Sequence, residues 1–109
     1  MANTFKLKTK ANVGVTTVGI YTAPAATTTV VIGITLANTS GSGVNVGVGI
    51  TRAGTTEDVK LLKNAPIPQG SSLEFMSGNK IVLETNDQIN VDSDTNNSVD
   101  AALTIMEIT

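Results

Sequence analysis

The residues in this chain best suited to chemistry are carboxylates. Asp92-Ser93-Asp94-Thr95-Asn96 places three oxygen-bearing side chains at alternate positions, which is how a calcium loop begins. The match then stops, because Asn97 stands where such a loop needs glycine and Leu103 where it needs a bidentate glutamate. The same residue types dominate Asx-rich turns. Asp92, Asp94 and Asn96 are therefore read first as turn formers and second as a weak metal site, with Asp87 or Asn90 as further oxygens. Glu57-Asp58 is another acid pair, and it too falls in an expected turn. Glycoside hydrolysis needs two acids across a cleft and aromatics to hold the sugar. This chain has three aromatics, Phe5, Tyr21 and Phe75, and only Tyr21 falls outside an expected core position.

Other catalytic chemistries lack their residues. With no histidine and no cysteine, the chain has no Ser-His-acid arrangement, imidazole metal ligand, thiol nucleophile or disulfide. Gly41-Ser42-Gly43 is not followed by the Gly-Lys-Ser/Thr of a phosphate loop. The expectation is a non-enzymatic protein without a cofactor. A net charge of −2 and seven basic residues, with Arg52 the one arginine, give no basic patch for nucleic acid. No apolar run is long enough to span a bilayer, and Met1 to Lys6 carries no secretory apolar stretch. Synthesis in the cytoplasm and no membrane partner are expected.

What positions these side chains is β-structure. Val, Ile and Thr make up 38 of the 109 residues, and their branching at Cβ favours strands over helices. Nine strands are expected: Thr4 to Lys10, Thr16 to Thr22, Thr28 to Ala37, Val44 to Arg52, Glu57 to Lys63, Ser71 to Met76, Lys80 to Glu84, Gln88 to Asp92 and Ser98 to Ile108. Asn38 to Gly43 and Ser93 to Asn97 are rich in hairpin-closing residues, while Gly78-Asn79 and Asn86-Asp87 should turn more tightly. Ala65-Pro66-Ile67-Pro68-Gln69-Gly70 should run extended between sheets. The fold expected is all-β: one antiparallel β-sandwich over residues 1–109, jelly-roll or immunoglobulin-like, of about eight strands. Residues 1–12 form an N-terminal arm or edge strand.

Period two assigns faces within this frame. Val30, Ile32, Ile34, Leu36, Val44, Val46, Val48 and Ile50 should form the buried side of one hairpin. The other side, including Val31, Gly33, Gly47 and Gly49, is small and uncharged and suits close approach by another surface. The last strand is apolar on both faces, so Met106 joins these interface candidates. Three lysines, Lys6, Lys8 and Lys10, stand within the first ten residues, and six acids and no base follow Lys80. Either both are simply solvated, or the lysine arm of one subunit lies on the acidic end of its neighbour. So few aromatics leave a thin aliphatic core that a partner subunit would support. Self-association is expected, with a trimer as the favoured form.

Several blocks resemble a family of small β-structured virion proteins of tailed phages, especially marine cyanophages. They are Met1-Ala2-Asn3-Thr4-Phe5-Lys6, Tyr21-Thr22-Ala23-Pro24-Ala25 leading into Thr27 to Gly33, Leu36-Ala37-Asn38-Thr39-Ser40, Leu61 to Pro68, Ile81-Val82-Leu83-Glu84 with Asp87, and Ser98-Val99-Asp100-Ala101 running to Thr109. The resemblance implies a non-enzymatic, self-associating component of a virion. Its partners would be the major capsid protein or other virion proteins, in a capsid decoration (cement) or head/neck accessory role. A tail- or fibre-associated carbohydrate- or receptor-binding module is the alternative it leaves.

Overall fold

The structure is a computed structural model describing residues 3–54, 57–75 and 80–109. Nine strands run β1 (Asn3–Val13), β2 (Val18–Thr22), β3 (Thr28–Asn38), β4 (Val44–Thr51), β5 (Asp58–Ile67), β6 (Ser72–Phe75), β7 (Ile81–Leu83), β8 (Gln88–Ser93) and β9 (Val99–Ile108). The turn expected at Gly78-Asn79, like Met76 before it, lies outside the described residues.

Two antiparallel sheets face each other. One is ordered β1-β9-β3-β6, with β7 also on β3; the other is β2-β8-β4-β5. β6 pairs with Ile34 to Ala37 and β7 with Thr29 to Val31, so together they act as one interrupted strand beside β3. Of the two expected architectures, this is the jelly roll. β9 is central between β1 and β3.

The hairpin expected over Val30 to Ile50 does not form. β3 and β4 belong to different sheets, and the chain crosses the sandwich between them. Asn38 makes the crossing: its Nδ2 donates to the Ser42 and Ile67 carbonyls, and its Oδ1 accepts from the Ser40 amide. Ser93 to Asn97 likewise crosses from β8 to β9 instead of closing a hairpin. Buried Ser93 and Ser98 share a 2.6 Å hydroxyl contact there, and the Ser98 hydroxyl donates to Thr95 O. In both places polar side chains turn inward and bond the backbone, so the turn packs as a corner. β5 extends through Pro66, which a sheet-edge strand tolerates, so the crossing to β6 is shorter than expected.

Face assignment depends on bulges. Along β3 the partners in β9 run from Thr28↔Ile108 to Val31↔Ile105, then resume at Gly33↔Thr104. Ile32 is the extra residue. Before it Thr29 and Val31 point inward; after it Ile34, Leu36 and Asn38 do. Val30 and Ile32, expected in the core, are half-buried, and Val31, expected outside, is fully buried. β2 does the same at Ile20, between Gly19↔Asn90 and Tyr21↔Ile89. That shift turns Tyr21 inward, opposite the fully buried Ile89.

The core between the sheets is aliphatic, with Ile34, Leu36, Val46, Val48, Val91, Leu103 and Ile105 nearly or fully excluded from solvent. Leu103→Ala should lower the unfolding free energy by about 2–5 kcal/mol through lost burial and a residual cavity. Val15→Ala, at a position 57% exposed, should change it by less than about 0.5 kcal/mol. Urea unfolding of the two variants measures both.

Candidate functional site

The buried ionisable groups lie at two strand junctions. The first is Glu107, on β9 and 6% exposed. Its Oε2 accepts a 2.6 Å hydrogen bond from the Tyr21 hydroxyl, and its Oε1 pairs with Lys6 Nζ at 2.8 Å. The Tyr21 hydroxyl also meets Thr29 Oγ1 at 2.7 Å, and Lys8 Nζ sits 5.9 Å from the Tyr21 ring centre. Thus β1, β2, β3 and β9 are tied at one point. The Lys6 and Tyr21 hydrogen bonds outweigh burial and, with the charges of Lys6 and Lys8, hold the Glu107 carboxyl below its usual range. Burial and the Glu107 hydrogen bond push the Tyr21 phenol up to about 12.

Asp87 makes the second junction, in the turn before β8. It is 2% exposed and accepts from the amides of Ala53 and Glu84, while Arg52 Nε stands 3.1 Å away. Burial pulls its pKa up, but these hydrogen bonds and the Arg52 charge pull harder, and the net shift is downward. Arg52 also contacts Glu84 at 2.6 Å. The cluster closes one end of a groove of about 400 Å³ lined by Ile50, Val59, Leu61, Ile81 and Val82. Neither junction presents a nucleophile beside a base; both hold strands together.

The oxygens of the Asp92 turn are also engaged. Asp92 Oδ2 accepts from Thr17, Asp94 Oδ1 from the Asn45 amide, and Asn96 Oδ1 from the Val15 amide. They cap three different segments, and among the described residues no cluster of three His, Cys, Asp or Glu side chains forms a metal site.

The residues expected to meet a partner separate in space. Lys6 and Lys8 lie over Glu107 and Tyr21 of the same chain, and Lys10 is exposed beside them. The segment read as an arm or an edge strand pairs along its own chain's β9, from Asn3↔Ile108 to Val13↔Val99. Val31 belongs to the core, and Gly33 is half-buried just after the β3 bulge. Gly47 and Gly49 are covered from within. A Cβ on Gly47 would come within 2.6 Å of Asp92 Oδ1, and one on Gly49 within 3.1 Å of the Val59 carbonyl. Met106 is half-buried on the outer side of β9.

Met106 belongs to a feature that reading by strands missed. Phe5 pairs with Met106, Met106 with Val30, and Val30 with Val82. These four side chains make an apolar row across the outside of the five-stranded sheet, flanked by Leu7 and Ile108. Phe5, Leu7 and Val82 are 68%, 64% and 56% exposed. β1 is thus inverted: its lysines oppose inward-facing Ile105, Leu103 and Ala101, and its large apolar side chains face out. The aromatic roles are likewise exchanged, with Phe5 exposed and Tyr21 buried. The alternation of Phe5 and Leu7 with three lysines was a visible signal; only the pairing with β9 says which side is which.

No protein-family model matches the chain, and no curated protein sequence matches it. Among solved structures, it is similar to a chain in the capsid of Helicobacter pylori bacteriophage KHP30, with TM-score 0.59, 12% identity, and coverage of 100% of this chain and 89% of that one. A chain of the cyanophage Pam1 capsid asymmetric unit gives TM-score 0.53 and 14% identity, over 96% of this chain and 84% of that one. A chain of Bacillus endospore appendages, described as disulfide-linked pili, gives 0.57 and 13%, over 99% and 87%. At these identities the likeness is one of fold: the chain shares the β-sandwich of these three chains over at least 96% of its length.

The two junctions set the pH limits of the fold. Glu107 and Asp87 are lowered, so each adds stability above its ordinary value of 4.5 or 3.8, and that stability is lost as pH falls through the lowered value. Tyr21 is raised, so its contribution is whole below pH 10 and lost as pH climbs toward about 12. Melting temperature measured against pH should fall at both ends. Glu107→Gln should flatten the acid limb, and Tyr21→Phe should flatten the alkaline limb while costing about 1 kcal/mol at neutral pH.

Proposed function

We propose that this chain is a non-enzymatic structural subunit of a virus particle, a capsid decoration or head/neck accessory protein that stabilises the shell by binding neighbours. The observation carrying this reading is the fold match to chains from two phage capsids, over at least 96% of this chain and 84% of theirs. The site geometry supports it. The buried carboxylates and the buried phenol are spent on joining strands. Such a subunit works by removing apolar area from water on a repeating lattice, where many modest contacts add up.

A carbohydrate- or receptor-binding module draws less support. Tyr21, the aromatic the sequence offered for stacking a sugar, lies under Lys8 with its hydroxyl bonded to Glu107, and the exposed Phe5 stands in the apolar row beside Met106. A pilus subunit of the endospore-appendage kind would need another means of joining subunits, since the chain has no cysteine.

Particles assembled without this protein should rupture at lower temperature and under milder osmotic shock than complete ones, and adding the purified protein should restore them. Equal robustness would remove the decoration role, and specific binding on a glycan array would favour the receptor-binding reading.

A further inference from the structure

We infer that the outer face of the five-stranded sheet is a contact surface for a second copy of this chain, packed face to face about a twofold axis. The two outer faces of the sandwich are unlike. On the four-stranded sheet the outward positions include Asn45, Thr51, Asp58, Gln88 and Asp92, a polar surface. On the five-stranded sheet the row Phe5, Met106, Val30 and Val82 crosses the full width. Among the described residues, the charged side chains at its outward strand positions are Asp100 and Glu74. They oppose Ala37 and Thr35, at the end of the sheet away from the row.

Three features identify the occupant as another copy. First, the row is uncharged, so a strongly charged partner would bury charges without counterparts, whereas a second identical row matches it. Second, the area is sufficient. Over the whole outer face, with Asp100 and Glu74 at its far end, ten residues of β9 at ~3.4 Å rise and four strand columns at ~4.8 Å give about 650 Å² per copy, or about 1,300 Å² for the pair. That lies within the range of stable interfaces, about 1,200–2,000 Å². Third, β1 turns its two largest apolar residues outward while directing its lysines to the Glu107 side, so Phe5 and Leu7 extend the row at the sheet edge. Identical patches meeting face to face form a closed pair, in place of the trimer favoured from the sequence.

The inference stands apart from the particle role and is tested on the purified chain alone. Sedimentation should give twice the 11.2 kDa chain mass, and raised ionic strength should not dissociate the pair, because the row at its centre is uncharged. Val82→Lys, at an exposed position, and Met106→Lys should each give monomers with an unchanged circular dichroism spectrum. Asn45→Lys, on the opposite sheet, should remain paired. Because the chain has no cysteine, single substitutions report proximity directly. Thr104→Cys, beside the row, should form covalent dimers with a bis-maleimide at least tenfold faster than Asn45→Cys. A monomeric wild type, an odd-numbered assembly, dissociation by salt, equal cross-linking from the two faces, or pairing that survives Val82→Lys would each overturn it. So would a monomer whose Thr104→Cys thiol becomes protected only when viral shells are added.

Discussion

A strand can present only every second residue to a core, so each strand's rhythm must match that of the strand it pairs with. The β3–β9 ladder meets this constraint with one surplus residue. β9 keeps strict alternation from Val99 to Glu107, while β3 inserts Ile32 and changes phase. Had β3 kept its rhythm, Ile34 and Leu36 would point at solvent and the centre of the core would be lost. The insertion also falls where β6 gives way to β7 along β3.

The second phase change, at Ile20 in β2, determines the polar interior. By turning Tyr21 inward it delivers a phenol to Glu107, and the carboxylate becomes tolerable in a buried site because Lys6 and Tyr21 both bind it. This network, with the backbone ladder to β9, keeps the edge strand β1 on its own chain. It also explains the inversion of β1: lysines that serve Glu107 and cover Tyr21 occupy the inner side, leaving Phe5 and Leu7 outside. An internal electrostatic requirement thus produces an external apolar surface.

Gly47 and Gly49 follow the same economy of space. Bulges in β5 bring the Leu62 and Val59 carbonyls against β4 while Asp92 and Asn90 close in from β8. The bare backbone is used within the chain, and the small-residue face expected to receive a partner is already occupied. The apolar face that stays open lies on the other sheet, where Phe5, Met106, Val30 and Val82 come from strands distant in sequence.

Strand positions were legible because they rest on local properties: Cβ branching, alternation, and Asn, Gly and Pro at the breaks. The all-β sandwich and the apolar character of both faces of β9 were readable on the same grounds. Sheet membership was not. A turn such as Asn38 to Gly43 has the composition of a hairpin and of a crossing alike, and the choice is made by Asn38 reaching the Ile67 carbonyl 29 residues away. Nor could the faces of β2 and β3 be read past Ile20 and Ile32, since a bulge is defined by the partner strand and leaves no mark in its own sequence. The amino-acid sequence alone thus determined which segments are strands and that their side chains build an aliphatic core. Tertiary structure decided which strands share a sheet, which side of each is inward and which surface stays bare, because those depend on register between residues far apart along the chain.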